Sequence, residues 1–423
     1  MKVATLLLLF LAAPAAATDL AEIVAGQTPA TAGLSGLAAV VADRERVVRA
    51  EAHGEAEIGG RALRPDTPMR VASISKLVVA IGAWRLVEAG TLDLDADVSA
   101  VLGWRLRHPR FADRPVTLRQ LLSHSSGIVD GPGYAFPLEA TLRDPLVPAH
   151  WGPGAPGQRF EYANLNYGVI ASVMEAATGE RFDRLMTRLV LAPLGLDAGY
   201  NWQGASDAAV AQAAVLYRRG RTPGGWEAGA PWLAQVDDMK GVRPACPVRS
   251  DARSGAGCDL AAYRPGANGT IFSPQGGLRI SVLGLAKIGR LLLRGGEVDG
   301  VRLLEPGTVA AMKAPVWREG QGVPGDTYKG QMLCYAAGPQ CLSGRAGATD
   351  QPVAGAHWWG HLGEAYGLLA GLWIDEAKGR VIVYALTGSA EDPFSVAHDG
   401  SSFSAVEDMV MQELASTGED NEP

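Results

Sequence analysis

The sequence lacks an excess of positive charge. Its 423 residues contain 38 Lys and Arg against 45 Asp and Glu, a formal net charge of −7. This balance argues against nucleic acid or an anionic membrane surface as a partner. No segment after residue 17 is apolar for long enough to span a bilayer, so we expect no stable membrane anchor. The expected partner is a small molecule or short peptide, and the sequence leaves the oligomeric state open.

Cysteine is also scarce. The only four are Cys246, Cys258, Cys334 and Cys341. The sequence has no C-x-x-C or H-E-x-x-H motif, so we expect neither a metal site nor a cofactor. Four cysteines allow three pairings. We favour the two local pairs, 246 with 258 and 334 with 341, because each closes a short loop in a Gly- and Pro-rich segment. The sequence also lacks G-x-S-x-G, which removes support for an α/β-hydrolase.

The first residues have the pattern of a secretory signal. Lys2 is followed by an apolar run at residues 6–11 and by three alanines at residues 15–17. This order of a positive end, an apolar core and a small-residue cleavage site predicts a signal peptide over residues 1–17. We therefore expect a periplasmic or secreted protein with one domain over residues 18–415. Residues 416–423 are expected to form an acidic tail.

Strand patterns occur near both ends of this domain. Residues 37–42 and 47–52 predict a hairpin, and so do residues 368–374 and 381–386. Between them, residues from about 95 to 200 are mostly helical in pattern. Residues from about 201 to 265 are rich in Gly and Pro, and we expect a loop-rich insertion beside a cleft. These patterns predict an α+β or α/β fold, with an antiparallel sheet built from both chain ends, flanked by helices, and an inserted helical lobe.

A possible catalytic pair lies at the start of an apolar helix pattern. Ser73 and Lys76 are three residues apart in Ser73-Ile74-Ser75-Lys76. Positions three apart share a helix face. A serine hydroxyl needs a base to become a good nucleophile, and a desolvated lysine amine can be that base. By itself the pattern also fits a serine near a helix start followed by a solvent-facing lysine, so the other segments must decide.

Five segments in order give this pair its context. The sequence resembles the penicillin-recognising serine hydrolases, in particular the branch of class C β-lactamases, DD-peptidases and related esterases. The resemblance covers nearly all of residues 18–415 except the insertion. The matching segments are residues 69–76 (MRVASISK), 90–95 (GTLDLD), 117–127 (TLRQLLSHSSG), 156–164 (PGQRFEYAN) and 360–363 (GHLG).

The resemblance implies a β-lactamase-like fold and a role for each matching residue. Ser73 would be the nucleophile, while Lys76 and Tyr162 would move its proton; either could be the base. Asn164 of the Y-x-N motif would hold Lys76 and contact substrate. His361 and Gly363, in the position of the third motif, would contact substrate.

The residue after that motif is Glu364. The resemblance implies that its backbone N–H forms the oxyanion hole together with that of Ser73. Its carboxylate is a departure from the family pattern, and it would repel an anionic substrate, bind an amino group or point away from the site.

One departure from the family pattern limits the expected substrate. Leu362 stands where β-lactamases have a hydroxyl residue that binds the substrate carboxylate. We therefore expect a serine hydrolase that cleaves an ester or amide through a Ser73 acyl-enzyme, as an esterase or D-amino-acyl peptide hydrolase. The alternatives are a class C-like β-lactamase, a DD-carboxypeptidase, or a non-enzymatic protein that binds peptide or cell-wall fragments. An intact set of Ser, Lys, Tyr and Asn argues against the last.

Overall fold

A computed structural model describes residues 19–27, 33–219, 221–222, 225–226, 230–248, 257–389 and 400–417. The predicted signal peptide and the last six residues of the predicted tail lie outside this part of the chain. The helices are α1 Leu20–Ala25, α2 Ile74–Glu88, α3 Ser99–Leu102, α4 Leu118–Leu122, α5 Leu165–Thr178, α6 Phe182–Met186, α7 Asp207–Ala211, α8 Val282–Leu293, α9 Pro306–Lys313 and α10 Ala405–Ser416. Single-turn 3₁₀ helices cover Pro148–His150 and Gly269–Phe272, and a π-helical turn covers Thr187–Leu191.

The strands are mostly short outside one large sheet. They are β1 Gly36–Asp43, β2 Val47–Gly54, β3 Met69–Arg70, β4 Gly199–Tyr200, β5 Leu216–Arg219, β6 Arg221–Thr222, β7 Gly225–Trp226, β8 Trp232–Val236, β9 Leu278–Ile280, β10 Glu297–Val298, β11 Val301–Arg302, β12 Pro315–Arg318, β13 Cys334–Ala336, β14 Gln340–Cys341, β15 Trp359–Ala365, β16 Leu368–Asp375 and β17 Arg380–Thr387.

The large sheet joins the two ends of the chain, as predicted. Its eight strands run in the order β12-β13-β14-β15-β16-β17-β1-β2, and all neighbouring pairs are antiparallel. The first strand pairs with the last along its whole length, from Gly36 opposite Thr387 to Asp43 opposite Arg380. Both faces of β1 are buried, which explains its unbroken apolar sequence. The antiparallel sheet and flanking helices confirm the predicted fold class.

The two faces of the sheet belong to different apolar clusters. Alternate residues of β1 pack into a cluster with α2 and α8 on one face, and into a cluster with α1 and α10 on the other. Helix α2 lies inside the first cluster and is buried on nearly all sides. Such a helix has no solvent-facing side on which Lys76 could reach water. Its first turn therefore carries two buried polar side chains, Ser75 and Lys76.

Some local expectations need correction. The region expected to be mostly helical includes a long stretch, residues 123–164, whose only helix is the single turn Pro148–His150. Polar side chains such as Ser126 and Asn164 make hydrogen bonds there with other side chains. The expected loop-rich insertion contains an antiparallel pair, β5 with β8.

Two disulfides cross-link the fold. Both favoured cysteine pairs are present, with Cα–Cα separations of 5.0 Å, Cys246 to Cys258 and Cys334 to Cys341. No helix in the described ranges combines the length and apolar character needed to cross a bilayer.

Candidate active site

Ser73 lies at the N-terminal end of α2, directly after a strained residue. Ala72 has φ of +45°, a left-handed conformation that non-glycine residues rarely adopt. Such strain persists only where the surroundings fix the backbone. Ser73 follows as the residue that caps α2, so its hydroxyl lies where the helix dipole favours negative charge.

Lys76 is held against Ser73 by three neutral acceptors. Its Nζ is 2.9 Å from Ser73 Oγ, 2.8 Å from Asn164 Oδ1 and 3.1 Å from the carbonyl oxygen of Gln275. The side chain has no solvent exposure. Burial lowers the pKa of Lys76 to about 7, with the charge of Asp130 partly opposing it. An amine with this pKa is about half neutral near pH 7, and its neutral form can accept the hydroxyl proton.

The Asp130 carboxylate is linked to the Lys76 amine through the side chain of Asn164. Asp130 accepts hydrogen bonds from Asn164 Nδ2, at 2.9 Å, and from the backbone N–H of Leu165, at 2.9 Å. These bonds fix the orientation of the Asn164 amide, whose oxygen faces Lys76. Neither Asp130 nor Gln275 was among the residues that the sequence singled out. The Gly276-Gly277 pair after Gln275 was a visible sign of a tight turn, but nothing local to Asp130 marked it.

Tyr162 lies beside both members of the pair. Its ring centroid is 4.7 Å from Lys76 Nζ, and its hydroxyl is fully buried. Burial holds the pKa of Tyr162 well above its usual range, although the interaction with Ser73 lowers it somewhat. The phenol is therefore protonated at neutral pH, which suits a proton donor better than a base. The pKa values of Lys76 and Tyr162 thus shift in opposite directions, a difference that the sequence alone did not indicate.

His361 does not reach the cleft. It is fully buried, with Nε2 2.9 Å from the Tyr335 hydroxyl and Nδ1 2.5 Å from the carbonyl oxygen of Leu362. Burial, and secondarily the charge of Lys76, lower its pKa to about 3. The expected contact between His361 and substrate is therefore not supported, because the ring is neutral and both of its nitrogens are engaged behind the site.

Gly363 and Glu364, the other two residues of this strand that were expected at the site, have different surroundings. A Cβ on Gly363 would meet the Val71 carbonyl oxygen at 2.6 Å, so this glycine lets β15 approach the chain entering α2. Gly363 is not in the lining of the cleft, and its expected contact with substrate stays a prediction. Glu364, in contrast, lines the cleft.

The cleft in front of Ser73 has a volume of about 460 Å³ and mixed charge. Its walls combine the predicted residues Ser73, Tyr162, Asn164 and Glu364 with Arg70, from the same segment as Ser73, and with side chains from distant segments. The latter include Tyr134, Arg218, Gln235, Gln275, Tyr328 and Tyr366. Arg218 and Gln235 belong to the paired strands β5 and β8 of the insertion. The insertion thus forms part of one wall of the cleft.

His124 and Asn166, which lie near the matching segments, form hydrogen bonds within the protein. His124 Nδ1 accepts from the Ala163 backbone N–H at 3.1 Å and lies 3.2 Å from Asn166 Nδ2. Asn166 also accepts from the Ser126 hydroxyl at 2.6 Å. Both side chains are buried and orient the loop that carries Tyr162 and Asn164.

Comparison with known proteins gives one family. A family model described as beta-lactamase matches residues 21–406. Esterase EstB of Burkholderia gladioli is 35% identical over 191 residues, which cover 40% of this chain and 47% of that protein. The D-alanyl-D-alanine-carboxypeptidase/endopeptidase AmpH of Escherichia coli strain K12 is 28% identical over 194 residues, covering 43% and 49%. The matches thus span about half the length of these curated relatives.

Solved structures agree on the fold. The D-amino acid amidase from Ochrobactrum anthropi SV3, complexed with L-phenylalanine amide, matches with a TM-score of 0.61 at 19% identity, over 91% of this chain and 94% of that one. The penicillin-binding protein homologue from Pyrococcus abyssi matches with a TM-score of 0.60 at 19% identity, over 85% and 70%. At this identity the likeness establishes the fold alone.

Proposed function

The chain belongs to the beta-lactamase family, and from this premise we propose that it is a serine hydrolase that forms an acyl-enzyme on Ser73. The observation that carries the proposal is the 2.9 Å contact between Lys76 Nζ and Ser73 Oγ, made by an amine whose burial lowers its pKa to about 7. Such an amine is poised to accept a proton at neutral pH. The family's esterases and peptidases make an ester or amide the natural substrate class.

The reaction begins with the neutral Lys76 amine. It takes the proton of Ser73 as the serine oxygen attacks the substrate carbonyl, and the charge that develops on the carbonyl oxygen lies near the N-terminus of α2. The protonated Tyr162 hydroxyl donates to the leaving group and regains a proton from the Lys76 ammonium. Water then attacks the acyl carbonyl while Lys76 accepts its proton; the bond to Ser73 Oγ breaks, the acid leaves, and Lys76 returns the proton to Ser73 Oγ. Asn164 keeps Lys76 in place throughout.

We propose an ester or D-amino-acyl substrate in preference to a penicillin. Leu362 is 5% exposed and packs in an apolar cluster, so it offers no hydroxyl to a substrate carboxylate. Glu364 lines the cleft and disfavours an anion near it. Strands β5 and β8 narrow the cleft with Arg218 and Gln235. The two disulfides support export to an oxidising compartment as the site of action.

The test compares wild-type protein with Ser73→Ala on p-nitrophenyl esters, and follows labelling by a fluorophosphonate with intact-mass spectrometry. We expect one label on wild type, none on Ser73→Ala, and turnover only with Ser73. Ser416→Ala, an exposed serine on α10, is the matched control and should behave as wild type. Ester turnover that survives in Ser73→Ala would overturn the proposal.

A second panel ranks the substrates. Short acyl esters, D-amino acid amides, a D-Ala-D-Ala peptide and nitrocefin are compared by kcat/KM. We expect nitrocefin to be the poorest of the four. If nitrocefin were the best, the argument from Leu362 and Glu364 would be wrong, while the Ser73 mechanism would stand.

A further inference from the structure

Three consecutive backbone carbonyls beside the site each accept a hydrogen bond from a different buried cation. The Gln275 carbonyl oxygen is 3.1 Å from Lys76 Nζ, and that of Gly276 is 2.8 Å from Arg70 Nε. The carbonyl oxygen of Gly277 is 2.9 Å from Arg279 Nη1. The three cationic side chains are at most 4% exposed. The position of Lys76 is thus linked, through one short turn, to the positions of two arginines.

This turn has little freedom to rearrange. The Gly277 N–H donates to the Ser273 carbonyl at 2.6 Å, and Ser273 has φ of +50°. A Cβ on Gly277 would lie 2.6 Å from Ser273 Cβ and 3.0 Å from Asn201 Oδ1. The next residue, Leu278, donates its N–H to Ser75 Oγ in the first turn of α2 at 3.1 Å. Displacement of the turn would therefore reach both Lys76 and the helix that carries it.

Arg279 is itself held by the insertion. Asp237 binds it with both carboxylate oxygens, at 3.0 Å from Nε and 2.9 Å from Nη2, and neither side chain is exposed. Asn201 Oδ1 accepts from Nη1 at 2.8 Å, and the Trp202 indole N–H donates to Asp237 at 3.0 Å. Asn201, Trp202 and Asp237 all have positive φ, between +48° and +68°. Backbone strain at two acceptors of the guanidinium, and at the tryptophan that donates to Asp237, indicates a network that the fold maintains.

We propose that Asp237 and Arg279 are positioning residues for the general base, holding the turn of residues 275–277 so that the Gln275 carbonyl and the walls around Lys76 stay in place. This role rests on the proposed function of Lys76 but concerns residues that do not touch substrate. Asp237 lies in the insertion, and Arg279 follows the Gly276-Gly277 pair. Through them the insertion acts on the chemistry as well as on the shape of the cleft.

The expected consequence follows from what surrounds Lys76. The titratable groups that face it, directly or through Asn164, are Ser73, His124, Asp130, Tyr162, Tyr167 and His361. Burial is the main cause of its lowered pKa. If the turn of residues 275–277 is loosened, water reaches the buried Lys76 amine, and the pKa of Lys76 rises toward its ordinary value. The pH at which the enzyme becomes active then rises with it.

The experiment titrates Lys76 without relying on turnover. The chain has only seven lysines, so ¹³C-labelled lysine gives few Cε resonances, and the Lys76→Arg variant identifies the relevant one. Asp237→Asn keeps the side-chain shape but removes the charge that holds Arg279. We expect its Lys76 midpoint, and the acid limb of kcat/KM for a p-nitrophenyl ester, to move up by about one pH unit or more.

Asp375→Asn is the matched control. It removes the carboxylate of another nearly buried Arg–Asp pair, 3.1 Å from Arg380 Nε, on the hairpin between β16 and β17. We expect no change in the Lys76 midpoint there. Trp202→Phe, which removes the indole hydrogen bond to Asp237 but keeps an aromatic ring there, should shift the midpoint in the same direction by less, and it serves as the test if Asp237→Asn does not fold.

A folded Asp237→Asn or Trp202→Phe protein with the wild-type Lys76 midpoint would overturn the proposal, and so would an equal shift in Asp375→Asn. The two proposals fail separately. Ester turnover that does not depend on Ser73 removes the proposed function, whereas the midpoint of Lys76 still reports whether Asp237 and Arg279 position it.

Discussion

Two buried basic side chains, Lys76 and Arg279, flank the same turn but have opposite surroundings. Lys76 contacts a hydroxyl, an amide oxygen and a carbonyl, and the nearest carboxylate, Asp130, acts through Asn164. Arg279 is bound by both oxygens of Asp237 and by two further acceptors. Both side chains are fully buried.

The difference shows how burial can serve chemistry or structure. A buried amine with only neutral acceptors loses stabilisation of its charge, so its pKa falls to about 7, as the proposed role of a base requires. A buried guanidinium keeps its charge at any working pH, so it needs a paired carboxylate. The base is therefore adjustable by its surroundings, while the arginine provides a fixed link between turn and insertion.

The largest expected effect comes from giving the Lys76 position a permanent charge. Lys76→Arg cannot accept a proton at neutral pH, so we expect kcat/KM for a p-nitrophenyl ester to fall by about 10²- to 10⁴-fold. Lys287→Arg, on the partly exposed side of α8, should keep wild-type activity. Circular dichroism checks that both variants fold. Near-normal turnover by Lys76→Arg would show that Lys76 is not the base.

The second largest expected effect comes from removing the Asp237 carboxylate that pairs with Arg279. Asp237→Ala leaves Arg279 buried and unpaired, and we expect the free energy of unfolding in urea to fall by about 3–5 kcal/mol. Asp375→Ala should cost less, because Arg380 and Asp375 retain 8% and 7% side-chain exposure and water can reach them. Equal losses of unfolding free energy in the two variants would contradict the expectation that a fully buried pair is more costly to break than a partly exposed one.

The sequence predicted those parts of this arrangement that depend on short-range patterns. Ser73 and Lys76 lie on one helix face, and the apolar runs of β1 and β17 form the centre of the sheet. In these cases local spacing determines geometry. The roles of the site residues stay predictions, although the structure brings Ser73, Lys76 and Asn164 into hydrogen-bond contact.

The rest depends on contacts between distant segments. Gln275 is 199 residues from the lysine that it contacts, and Asp237 is 42 residues from Arg279. No local pattern specifies which loop meets which helix. His361 shows the same limit, since its motif gave a position in the sequence but not its burial against Tyr335.

A third effect lies in the pH dependence of stability. The pKa of Lys76 is lower in the folded protein than in the unfolded chain, so the unfolded chain binds more protons between pH 7 and 10. The free energy of unfolding should therefore rise with pH in this interval. Relative to Lys76→Met, we expect wild type to gain about 2 kcal/mol between pH 7 and 9, measured by urea unfolding. Parallel curves for the two proteins would contradict a neutral buried amine.

The smallest expected effect comes from removing the charge of Asp130, which lies on the other side of Asn164 from Lys76. The charge of Asp130 raises the pKa of Lys76 against the effect of burial, so Asp130→Asn should lower it further. The acid limb of kcat/KM should then move to lower pH, by about half a unit, a direction opposite to that expected for Asp237→Asn. Asp113→Asn, at an exposed position, is the control. An upward shift in Asp130→Asn would mean that Asp130 matters chiefly by orienting Asn164, because a misplaced amide would open the cavity around the amine to water.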